Sequence, residues 1–178
     1  MPTDTTPQRR AIFFDRDGVI NRRLPDTYVK NWSEFELLPG IADVLREVKQ
    51  RGYLAIIITN QRGVGLGLMT EADLDDIHEN LQALMLREAG TRFDDIFTAN
   101  DIDDSSGRRK PAPTMILEAA EKWNIDLSES WMIGDSPSDI EAGKRAGTKT
   151  AFAITDHTDA IPEATIMLHD IHEILNHL

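Results

Sequence analysis

Ala11-Ile12-Phe13-Phe14-Asp15-Arg16-Asp17-Gly18-Val19-Ile20-Asn21 is the stretch that decides the fold. A short apolar run ends abruptly in two carboxylates, a glycine and a second apolar pair. Ala11 to Phe14 has the length and composition of a buried strand. Asp15 and Asp17 then sit just past its carboxyl end, where open α/β sheets place their ligands. Two carboxylates one residue apart are costly unless a cation or a proton accompanies them. A divalent metal is one solution, and an acid/base division of labour is another.

Outward from this strand, apolar runs and helical periodicities alternate. The long polar connection 16–38, with Trp32 read as packing, ends at Pro39-Gly40. Connections that long are more often functional than idle. Ile41, Val44, Leu45 and Val48 then recur at helical spacing. Leu54 to Ile58 reads as a central parallel strand buried on both faces. Arg62 to Met69 reads as a flexible glycine-rich loop, because Gly63, Gly65 and Gly67 do not keep the dinucleotide spacing. Thr70 with Asp73 signals the start of a helix that runs to Ala89 and stops at Gly90. Further strands are predicted over Phe93–Ala99, Trp131–Ile133 and Thr148–Ile154. Helices are predicted over Thr114–Trp123, from Ser136-Pro137 to Gly147, and over Ile171–Leu175. Right-handed crossovers make this an α/β protein: a doubly wound parallel sheet in a three-layer α/β/α arrangement. The expected organisation is a flexible tail over 1–10 and a single domain over 11–178, with any cap built from loops.

Chemistry-bearing residues recur at the predicted strand ends: Asp15 with Asp17, then Thr59, then Lys110 after a loop, then Asp135 with Asp139. Strand tips at one edge of a parallel sheet converge in space. Such a set suits phosphoryl transfer to a carboxylate. Asp15 would attack phosphorus, and Asp17 would protonate the leaving oxygen and then deprotonate the hydrolytic water. Thr59 and Lys110 would hold phosphoryl oxygens. Asp135 would help hold Mg²⁺, a hard ion that prefers oxygen ligands.

Asp15-Arg16-Asp17-Gly18-Val19, Thr59, Lys110-Pro111 and Gly134-Asp135 with Asp139 resemble, in order, the four motifs of the haloacid dehalogenase superfamily. The resemblance spans residues 11–154. An aspartate two positions after the nucleophile is similar to the phosphatase and mutase branches. Tyr28-Val29, Phe35, Asn60-Gln61 and Arg109-Lys110-Pro111 further resemble the D,D-heptose 1,7-bisphosphate phosphatases and their histidinol-phosphatase relatives, which lack a separate cap. The resemblance implies a Mg²⁺-dependent phosphatase whose metal is held by Asp15, Asp135 and the backbone carbonyl of Asp17, with Asp139 in support. It implies substrate contacts from Asn60, Gln61, Arg62 and Arg109. Arg16, Asn21, Asp26 and Tyr28 on the first loop, and Arg108 beside Arg109, are further candidates for substrate. Those phosphatases usually bind structural zinc through three cysteines and a histidine. Two of the cysteine positions are Ser106 and Arg108 here, and the chain has no cysteine, so no zinc is expected.

The 178 residues carry a formal net charge of −12, which argues against nucleic acid or anionic membrane as partners. No apolar run is long enough to span a bilayer. The absence of cysteine fits the cytoplasm, and nothing in the pattern demands more than a monomer. The expected substrate is a small phosphorylated metabolite, a sugar bisphosphate such as heptose 1,7-bisphosphate. Histidinol phosphate, a nucleotide and a polynucleotide 3′-phosphate are the alternatives within the enzyme class, separable by relative kcat/KM. A non-catalytic phospho-ligand-binding protein is the alternative outside it, and filled catalytic positions speak against that. Arg22 and Arg23 read as solvated.

Overall fold

The computed structural model describes residues 7–156, 158 and 161–178. Its centre is β1 (Ala11–Phe14), buried throughout. Around it lie β2 (Leu54–Asn60), β3 (Asp95–Ala99), β4 (Trp131–Gly134), β5 (Lys149–Ala153) and β6 (Ile166–Leu168). All pair in parallel, in the order β3-β2-β1-β4-β5-β6. The helices are α1 (Ile41–Gln50), α2 (Arg62–Gly65), α3 (Glu71–Ala89), α4 (Thr114–Trp123) and α5 (Pro137–Ala146).

Alternation along the strands feeds two separate cores. Ile12, Phe14, Ile57 and Ile133 face α1 and α3, where Val44, Leu45, Leu81 and Met85 close the layer. Ala11, Phe13, Ile56, Ile58 and Met132 face α4 and α5, against Met115, Ile116, Ala119 and Ala142. Burial on both faces is why these strands read as unbroken apolar runs rather than as alternating ones. The chain winds out from β1 to β3, then crosses back over β1 to β4. The order therefore reverses between β1 and β4, which opens a crevice at their carboxyl ends. Asp15 and Asp135 are the next residues after those two strands.

Several local expectations shift. The third strand starts at Asp95, because Phe93 turns into the core, edge-on to Phe14 at 5.6 Å. β6 is a three-residue edge strand, too short to leave a periodic signal. The C-terminal helix is a 3₁₀ turn over Ile171–His177. The segment after Gln61, expected as flexible loop, begins with the single-turn helix α2, closed by a Leu66 N–H to Arg62 carbonyl bond of 2.9 Å. Of the tail expected over 1–10, residues 1–6 lie outside the described ones, and Arg9 and Arg10 are attached. Arg9 exchanges backbone hydrogen bonds of 2.8 Å with Asn124 and Asp126, and the Arg10 guanidinium lies 4.2 Å over the Tyr53 ring.

The 16–38 connection is laid across α2 and the start of α3. Val29 is buried with Met69, Leu74 and Ile77, and Leu24, Trp32 and Phe35 pack against them. Trp32 stacks on Phe35 at 4.7 Å, as a packing residue. Burying one such aliphatic side chain contributes roughly 1.5–3 kcal/mol, so this loop forms a fixed wall over the crevice.

Candidate active site

Lys110 is the hub of the crevice. Its ammonium donates to Asp15 Oδ1 at 2.7 Å, to Asp139 Oδ1 at 2.6 Å and to the Ile58 carbonyl at 2.8 Å. An ammonium has three hydrogens to give, so all of Lys110's are engaged. Burial opposes its charge, but Asp139 and Asp15 outweigh it and hold the lysine above its usual range. Asp139 is fixed in turn. Its Oδ2 accepts from the backbone N–H groups of Asp135 and Ser136 and from the Ser136 hydroxyl, which is also the capping arrangement that opens α5. Asp139 therefore anchors Lys110 with both oxygens occupied. Asp15, Asp135 and Asp139 each place a carboxylate oxygen within 4.8 Å of the others.

Two glycines make this crowding feasible. A Cβ on Gly18, where φ is +94°, would lie 1.9 Å from Asp135 Oδ2. A Cβ on Gly134 would lie 2.0 Å from the Asp139 Cβ. The glycine of each motif is thus needed because backbone lies directly against a site carboxylate.

Asp15 and Asp135 are short of positive charge. Burial, with Asp139's charge added, pushes Asp15 up to about 6 against the pull of Lys110. Burial and then Asp15 push Asp135 up to about 8, opposed by Arg23. Two buried carboxylates that resist ionisation beside each other fit a hard divalent cation.

That charge shortage predicts a pH dependence. An unfolded aspartate titrates near 3.9. Natively, Asp15 and Asp135 keep protons to about 6 and about 8, so the folded form binds more protons in that interval and loses stability as pH rises. His78 acts oppositely below about 6.5. Burial and Arg16 lower it to about 3, so the unfolded chain takes that proton instead. Between pH 6.5 and 8 the metal-free protein should therefore lose stability on urea unfolding, and Mg²⁺ should remove the slope. A flat or rising metal-free profile would contradict this charge arrangement.

Asp17 belongs to a second network. Burial would raise its pKa, but the Arg16 guanidinium and hydrogen bonds from Asn21, Gln61 and Arg16 hold it below the usual carboxylate range. Arg16 Nη2 reaches both carboxylate oxygens at 3.1 Å, and the Asn21 and Gln61 amides donate at 2.9 Å each. Gln61 also donates to the Thr59 hydroxyl at 2.9 Å. Arg16, Asn21, Thr59 and Gln61 are at most 1% exposed. Arg16, Asn21 and Gln61, expected to touch substrate, stand behind Asp17 and aim it.

The open part of the crevice, about 560 Å³, is lined by Asp15, Asp17, Asn60, Lys110 and Asp139 at its base, with Tyr28, Arg62 and Arg109 among the residues of its wall. Asn60 fixes the Lys110 backbone, accepting from its N–H at 3.0 Å and donating to its carbonyl at 3.1 Å. Arg23, read from sequence as solvated, lines the crevice and donates to Asp135 Oδ1 at 3.0 Å. Its only sequence signal was its place on the long first loop. Arg22 does stay at the surface, paired with Glu36. Arg108, expected beside substrate, turns away. Its guanidinium forks onto Glu118 of α4 at 3.2 and 2.7 Å and donates to the Thr98 carbonyl at 2.6 Å. Ser106 accepts from the Arg108 N–H and donates to Asp101. The residues at the zinc-cysteine positions thus tie down loop 98–108 themselves.

Known proteins resemble this chain in sequence and fold. The haloacid dehalogenase-like hydrolase family model matches residues 21–147. A D-glycero-β-D-manno-heptose-1,7-bisphosphate 7-phosphatase of Rhodopseudomonas palustris is 40% identical over 82% of this chain and 83% of its own length. A Helicobacter pylori protein of the same description is 36% identical over 94% of this chain and 95% of its own. The structure of a B. bronchiseptica D,D-heptose 1,7-bisphosphate phosphatase, complexed with magnesium and phosphate, superposes with a TM-score of 0.86 at 28% identity, covering 95% of this chain and 99% of that one.

Proposed function

The chain belongs to the haloacid dehalogenase-like hydrolases, and from that premise we propose that it is a Mg²⁺-dependent phosphatase of a sugar bisphosphate, D-glycero-D-manno-heptose 1,7-bisphosphate, cleaving the 7-phosphate. The observation that carries the reading is Asp15: a buried carboxylate at the crevice base, held at one oxygen by Lys110, which leaves the other to attack phosphorus. Relatives at 36–40% identity over most of the chain supply the substrate class.

Mg²⁺ would be held by Asp15 and Asp135, and when bound it offsets the repulsion between an anionic nucleophile and an anionic substrate. Asp17 protonates the leaving oxygen and then takes a proton from water as the aspartyl-phosphate is hydrolysed. It starts ionised, so its proton arrives with substrate, whose phosphoryl charge against Asp15 and Asp17 favours protonation. As the attacking carboxylate gives up its charge to the new acyl–phosphate bond, Lys110's hydrogen bond to Asp15 passes to an anionic phosphoryl oxygen. Asp139 and the Ile58 carbonyl keep the ammonium in place. Arg62 and Arg109 on the wall supply positive charge for the distal phosphate.

Phosphate release measured over a panel of both heptose bisphosphate anomers, histidinol phosphate and nucleoside monophosphates, with and without Mg²⁺, tests this. The highest kcat/KM should fall on a heptose bisphosphate and depend on the metal. Preference for histidinol phosphate or a nucleotide would overturn the substrate assignment, and metal-independent turnover would overturn the mechanism.

A further inference from the structure

Arg16 is the largest fully buried side chain of the described residues, 0% exposed. A guanidinium so enclosed needs acceptors in fixed directions. Nη2 has Asp17 and, at 3.3 Å, Gln61 Oε1. Nη1 has the imidazole Nε2 of His78, at 3.2 Å, reached from the middle of α3. Nε has no partner among the described residues, so His78 is what fixes the second arm of the fork.

The choice of a histidine matters. To accept from Arg16, Nε2 must be unprotonated, with the ring proton on Nδ1. A carboxylate there would share the guanidinium's charge, whereas a neutral acceptor leaves it to Asp17. The imidazole is 8% exposed and borders a second cavity, of about 520 Å³, lined also by Asp75, Glu79, Gln82 and Arg92. It is held by α3, whose first turn is capped by Thr70 and packed against Val29 of the crevice wall. A rigid line therefore runs from α3 through His78 and Arg16 to Asp17.

We propose that His78 is a positioning residue: by fixing the Arg16 guanidinium it aims the Asp17 carboxyl at the leaving-group oxygen. This rests on the phosphatase reading, and on Asp17 as its general acid. The role is invisible in an ester that needs no proton on departure. Two substrates therefore isolate it, a sugar phosphate with an alkoxide leaving group and 4-nitrophenyl phosphate, whose phenolate leaves unaided. The ratio kcat/KM covers the steps through transfer to Asp15 and excludes later hydrolysis of the intermediate.

With Mg²⁺ present, His78→Leu is expected to lower kcat/KM roughly 10–100-fold on the sugar phosphate, a part of what a general acid supplies. It should lower it less than about 3-fold on the aryl ester, where no proton transfer is needed. His78→Gln, whose amide oxygen reaches as far as Nε2, should recover most of the loss. His78→Asn, one methylene short, should not, and it serves in place of His78→Leu if that variant fails to fold. Equal losses on both esters, no loss on either, or glutamine behaving like asparagine would overturn the proposal. Wild-type protein inert towards both esters would instead overturn the phosphatase reading itself.

Discussion

Asp15→Asn is expected to abolish turnover while leaving a more stable protein. The amide oxygen can still accept from Lys110, whose bond to Asp15 is 2.7 Å, so the crevice keeps its shape. It has no anionic oxygen to attack phosphorus, and removing a nucleophile costs at least ~10⁴-fold in kcat. The same substitution deletes a buried charge that the fold resists, since burial and Asp139 push Asp15 up to about 6. At pH 8 without metal, the variant should melt above the wild type. Opposite signs for activity and stability separate loss of chemistry from unfolding. A variant that still released phosphate from heptose bisphosphate would remove Asp15 from the nucleophile's role.

Lys110→Met should damage both properties. Every hydrogen of the ammonium is engaged. Its loss leaves Asp139, 1% exposed, as a buried carboxylate without a cation, and the Ile58 carbonyl without that donor. Breaking such a buried pair from one side destabilises by about 3–5 kcal/mol. Loss of the charge next to the transferring phosphoryl group should cost ~10²–10³-fold in kcat. Adding Asp139→Asn removes the stranded charge. The double variant should then recover much of the stability on urea unfolding and none of the activity, a non-additivity expected of groups in contact. Losses that simply add would mean the two residues act independently.

The parts of this molecule legible in its sequence are those where one residue type has one physical reason. Continuous apolar runs at Ala11–Phe14 and Leu54–Ile58, short and in the second case rich in isoleucine, read as strands covered on both faces, which they are. A glycine beside each acidic motif marks backbone pressed against a carboxylate. Thr70 and Gly90 bracket α3 through a cap and a left-handed stop. What the sequence hid is direction. Arg16, Arg23, Arg108 and Arg109 are equal as letters, yet one is sealed behind Asp17, one reaches Asp135, one ties a loop to α4 and one lines the crevice. A long flexible side chain takes its destination from tertiary neighbours: Arg108 from Glu118, ten residues on and in another element, and Arg16 from His78, 62 residues away. β6 and α2 escaped for another reason, being shorter than the period that would reveal them.

Loop 98–108 bears on where such a protein can work. A loop gathered by thiolates around a soft metal is finished only when that metal is delivered, and oxidants or chelators undo it. Here Arg108, Glu118, Thr98 and Ser106 close the loop from the chain's own atoms. None of these contacts uses a thiolate or a delivered metal, so neither a chelator nor a thiol oxidant has a group to act on in them. Its weak point lies instead in ionic strength, because the Arg108–Glu118 pair is 33% and 41% exposed and open to screening.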